Sequence, residues 1–170
     1  MVATDIYRPD EWRDFFLLVG TGAAALTGLV FVAVSINLKA LAGHPVHSYR
    51  AISLVGGFAA VFIRCALVLM GGQNHVAVGV ELLSVCVLLV AISLTGYLRS
   101  SGAGRGLPRS SLYRSIGGES CYLVEIVGAA ILISRSIAGL YVAAVAMVVG
   151  FYFLFSGSWL LLVGTSSADA

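Results

Sequence analysis

Five apolar runs, at 15–38, 51–71, 76–98, 116–134 and 138–163, dominate this chain of 170 residues, each bordered by charged or turn-forming residues and each free of proline. A hydrocarbon core about 30 Å thick is crossed by about 20 residues of helix at about 1.5 Å per residue, so every run is long enough to span it. In lipid the backbone N–H and C=O groups must be satisfied within the segment, and an isolated run does this as a helix. The predicted fold is all-α, a polytopic transmembrane helix bundle of about five spans. Only Arg135 and Ser136 interrupt the last two runs. One helix of their combined length would overshoot the bilayer about twofold, so a tight turn is predicted there.

Composition excludes a soluble domain of this size: 59% of residues are hydrophobic and 11% charged, with a mean hydropathy of +1.00. Residues 1–14 read as a polar tail, 15–163 as one transmembrane domain and 164–170 as a second tail. Pro9, Pro45 and Pro108 fall in the tail or in connections, where a missing backbone donor does no harm.

Arginine and lysine in short loops set orientation. Lys39 and Arg50 border the first loop, and Arg99, Arg105, Arg109 and Arg114 crowd the third. The second loop has no such residue and the fourth only Arg135, while Arg8 and Arg13 in the tail are offset by Asp5, Asp10, Glu11 and Asp14. The N-terminus is predicted outside and the C-terminus cytoplasmic. The opening residues are acidic and polar, so no cleaved signal is expected. The third loop's arginines serve topology, or meet anionic headgroups.

Arg64, Glu81 and Glu125 are ionisable residues set deep inside apolar runs. Such a group costs about 2.5–3.5 kcal/mol at the bilayer centre on insertion scales, so each needs a partner, a wet cavity or a function. The short second connection makes an antiparallel hairpin of the second and third spans, which puts Arg64 and Glu81 at nearly one height. Glu125, nine residues before Ser134, falls at a similar depth. The expectation is a buried layer of Arg64, Glu81 and Glu125 toward the outer side, with His75 and Arg135 near an outer mouth. Two readings stay open. An Arg64–Glu81 pair locks the hairpin, or the layer forms an ion or proton pathway in which a glutamate exchanges a proton or cation.

Small residues recur at helical spacing as packing stripes: Gly20, Ala24 and Gly28; Gly57; Gly139, Ala143, Ala146 and Gly150. Trp12, Phe15, Phe16 and Trp159 fit interfacial anchors. His44, His47 and His75 divide between the two membrane sides, so no metal site is expected. Cys65, Cys86 and Cys121 lie within spans without CxxC spacing and read as small packing residues. No cofactor motif occurs; the glycines at 20–22 and 56–57 lie inside apolar helices and make no phosphate loop. No serine–histidine pair, aspartate dyad or HExxH stands at membrane depth, so the chain is not expected to be an enzyme. The repeated AISL at 51 and 91 is compositional, since the copies run oppositely through the membrane.

The runs EWRDFFLLVG at 11–20, AAALTGLVFVAVS at 23–35 and MGGQNH at 70–75 carry a resemblance. Residues 11–75 resemble small bacterial integral-membrane proteins of unknown function, some automatically labelled modulators of a membrane-bound AAA protease. The resemblance implies a multi-pass protein of the bacterial inner membrane and carries over no functional residue. Two classes follow: a homo-oligomeric channel or proton pathway, and a non-catalytic accessory or scaffold subunit that docks a membrane protein partner through its uncharged 139–157 face. The lipid bilayer is a partner in either case; nucleic acid is not.

Overall fold

A computed structural model describes the backbone of residues 7–36, 45–101 and 109–166, and side chains over 7–36, 51–95 and 117–159. Among the described residues there are five helices: α1 Pro9–Ile36, α2 Pro45–Val68, α3 His75–Ser101, α4 Arg109–Ile133 and α5 Ala138–Ser166. Four segments, Pro9–Ile36, Ala51–Val68, His75–Thr95 and Ala138–Trp159, are long and apolar enough to cross a membrane. The expectations resting on Lys39, His44 and Arg105, and on the side chains of His47, Arg50, Arg99, Arg109 and Arg114, lie outside the described residues.

The helices outrun the apolar segments at their starts. Pro9 and Pro45 are first residues of α1 and α2, where the missing N–H would be unpaired in any case and the fixed φ suits the first turn. The second half of the expected polar tail is therefore the opening of α1, with Asp10 and Glu11 at the positive end of its dipole. Asn74 caps α3, its Oδ1 accepting from the Ala77 N–H at 2.9 Å. Gly72 turns the chain before it with φ 78°. Between α4 and α5 the Ser136 and Arg135 N–H groups donate to the carbonyls of Ile131 and Leu132, at 3.3 and 3.1 Å. This is a Schellman stop with Arg135, φ 68°, in the place that glycine usually takes.

α1 packs along α2, α3 along α4 and α4 along α5, while α2 also touches α5 and, more sparsely, α3. The interior is apolar, built around Phe16 and Ala23 of α1, Val61 and Cys65 of α2, Leu82 of α3 and Leu132 of α4, and Leu140 and Met147 of α5. Large apolar side chains such as Leu18, Leu29, Leu88 and Val145 point outward, as lipid permits. Trp12 is not an outward anchor: it is buried, with its ring 4.6 Å from that of Tyr141. Trp159 is exposed.

Glycine contact decides how closely α4 and α5 approach. A Cβ on Gly128 would stand 2.7 Å from the Gly139 carbonyl oxygen and 2.8 Å from the Ala143 nitrogen. One on Gly139 would collide with the Gly128 oxygen and the Leu132 nitrogen. Ala143 and Ala146 are buried, Gly150 faces Cys121, and Gly157 faces Leu54 of α2. The 139–157 face expected to dock a partner is thus occupied within the chain. On α1 the expected ladder divides: Gly20 is buried against Cys65, whereas Ala24 and Gly28 are exposed. Gly57 is buried against Leu154.

Candidate functional site

Arg64 approaches from α2, one turn before that helix ends, and is 1% exposed. Its Nη1 donates to Oε2 of Glu125 on α4, itself 2% exposed. Its Nε donates to the Ala60 carbonyl one turn back, at 3.1 Å. From α3 the Cys86 thiol donates to the same Glu125 oxygen at 3.2 Å, and the guanidinium carbon lies 5.3 Å from the Tyr122 ring centroid. Cation, carboxylate, thiol and aromatic face from α2, α3 and α4 thus close on one another, and a charge-assisted contact is the strong kind. α2 and α4 are not among the closely packed helix pairs, so these long side chains bridge what the backbones leave open.

The expected Arg64–Glu81 pair is replaced by Arg64–Glu125. Side chains on a helix lean toward its N-terminus. In an antiparallel hairpin Arg64 therefore leans away from the turn and Glu81 leans toward it, so two residues at one height diverge. Glu81 is half-buried and accepts from the Gln73 amide at 2.7 Å, in the α2–α3 connection. α4 runs parallel to α2, and Glu125 leans the same way as Arg64.

His75 is 6% exposed and lies inside the structure, not at an open mouth; Arg135 is exposed at the α4–α5 turn. Cys65 packs against Gly20 and makes a 3.7 Å contact with the Met147 sulfur. Among the described residues no group of histidine, cysteine, aspartate and glutamate is arranged to hold a metal ion. Sequence reasoning passed over Tyr122 and Glu119, the latter half-buried on α4 near Ser93 of α3, and read Cys86 only as a small packing residue. Glu119 and Glu125 are six residues apart on one helix. Their common helix and shared neighbour α3 were the available signal.

Fold and site together define a multi-pass integral membrane protein with a buried cross-helix ion pair. No family model, curated protein or solved structure matches the chain.

Proposed function

We propose that the protein is a non-catalytic subunit of a membrane assembly, with five spans, an outside N-terminus and a cytoplasmic C-terminus. The observation that carries this reading is that Arg64 and Glu125, 1% and 2% exposed, neutralise each other inside a single chain. A buried pair of this kind fixes helix positions and leaves no net charge for a passing solute. The resemblance over residues 11–75 supports a bacterial inner membrane as the setting. Purified protein in liposomes, under imposed pH and voltage gradients, tests it. The expected result is proton and cation flux equal to that of empty liposomes. Flux above that of empty liposomes overturns it.

Glu119 favours a second reading, a proton relay. Glu81 on α3, and Glu125 and Glu119 of α4 beside Cys86 and Ser93 of α3, stand at successive depths, and carboxylate chains of this kind serve proton movement in membranes. The relay requires that Glu119→Gln and Glu125→Gln each abolish flux.

A further inference from the structure

We infer that the α2–α3 connection holds a hard monovalent cation of the alkali class, seated between the Gln73 amide oxygen and the Glu81 carboxylate. Binding at one end of the bundle requires no passage across it, so the site stands apart from the subunit reading.

Gln73 is half satisfied. Its Nε2 donates to Glu81 Oε2 at 2.7 Å, whereas its Oε1, closed off from solvent, has no hydrogen-bond donor. A buried acceptor in this state carries its full desolvation cost, and such an atom points to a bound ion or water. Donors around the connection are committed elsewhere. The Ala77 N–H goes to Asn74 Oδ1 at 2.9 Å and the Val78 N–H to the Asn74 carbonyl at 3.1 Å. The Ser84 hydroxyl goes to the Glu81 carbonyl at 2.8 Å, and the Tyr7 hydroxyl to the Val68 carbonyl at 2.6 Å. Turning the amide over does not cure the defect. The amide oxygen then faces the carboxylate, where a proton or an ion must stand between them, and the nitrogen takes the buried place without a partner.

Charge decides what fills the gap. Glu81 is half-buried inside an apolar segment, His75–Thr95. Among the described residues the ion pairs are Arg8–Glu11 and Arg64–Glu125, so Arg64 is already neutralised and Glu81 has no cation. A water at Oε1 answers the hydrogen bond and leaves the charge uncompensated. One monovalent cation answers both, because it takes the lone pairs of Oε1 and balances the carboxylate. A divalent ion exchanges an unbalanced negative charge for an unbalanced positive one. Amide and carboxylate oxygens are hard ligands, which suit an alkali ion and need no thiol or imidazole. The site is therefore compatible with the absence, among the described residues, of a histidine, cysteine and carboxylate group fit for a metal ion. Access comes from the turn: Gly71, Gly72 and Asn74 are exposed, and Gly72, φ 78°, bends the chain there. Water from that side completes the coordination.

The full-length protein in nonionic detergent, at fixed pH and with choline keeping the ionic strength constant, is titrated with radiolabelled sodium. The expected result is saturable binding of one ion per chain, weakened at least tenfold by Glu81→Gln and by Gln73→Ala. In choline Glu81→Gln melts like wild type, and sodium raises the melting temperature of wild type alone. Asp10, Glu11 and Asp14 are exposed on α1 and unchanged in both variants. Sodium binding that survives both substitutions therefore belongs to such surface carboxylates and overturns the inference. Absence of saturable binding to wild type, with equal melting in sodium and choline, leaves a water at Oε1 and also overturns it. Displacement of sodium by an equal concentration of calcium overturns the monovalent assignment. Flux plays no part in the readout, so failure here is separable from failure of the subunit reading.

Discussion

Arg64 is paired with Glu125, 61 residues away in sequence, across two helices whose backbones do not pack closely. The contact ties the first half of the chain to the second. Its burial makes each partner dependent on the other, since either charge left alone in the bundle must find water or neutralise.

Arg64→Ala is therefore expected to lower stability by about 3–5 kcal/mol, the usual cost of stranding one member of a buried pair. Arg64→Met combined with Glu125→Leu removes both charges and restores most of that loss. Reversible unfolding in mild detergent measures both; a single variant as stable as wild type contradicts the pair.

Glu81→Gln is expected to change stability by less than about 1 kcal/mol, because it exchanges one hydrogen-bonding group beside Gln73 for another. Glu125→Gln leaves Arg64 without its counter-charge and costs several times as much. Melting of the two variants side by side distinguishes the positions.

Arg135 holds a left-handed backbone, φ 68°, at the end of α4. A residue with a Cβ is disfavoured there by about 1–2 kcal/mol. Arg135→Gly is expected to gain about 0.5–1 kcal/mol after the entropy that glycine loses on folding. Thermal unfolding at matched detergent concentration checks the sign.

Tyr7 is buried before the first span and donates to the Val68 carbonyl at 2.6 Å. Burial pushes its phenol up from the ordinary value near 10. Below that pH the phenol is neutral whether the chain is folded or not, and its contribution is constant. Above it the unfolded chain loses the proton first, so stability falls as pH rises until the folded phenol also ionises. Tyr7→Phe is expected to cost about 1 kcal/mol at neutral pH and to remove this part of the alkaline loss, read from melting between pH 8 and about 11.

Gly139→Ala is expected to be disruptive, because the added carbon meets backbone on α4, whereas Gly118→Ala, with nothing within 4 Å, is tolerated. Yield of folded protein after extraction separates them.

Helix positions were legible because lipid leaves so few ways to satisfy a backbone: a long apolar run with charged borders becomes one helix. The turn at Arg135 followed from length alone. Partner choice was less legible, since the depth argument placed Arg64 and Glu81 at one height without the lean of each side chain toward its own N-terminus. The stripes show the same divide. Gly139 and Gly20 pack inside while Ala24 and Gly28 face out, and spacing along a helix does not say which side a neighbour occupies.

Double-mutant cycles on Arg64 with Glu125, and on Arg64 with Glu81, test the central pairing most directly. A coupling above about 1.5 kcal/mol is expected between Arg64 and Glu125, and below about 0.5 kcal/mol between Arg64 and Glu81. The reverse order, strong coupling to Glu81 and none to Glu125, contradicts the account.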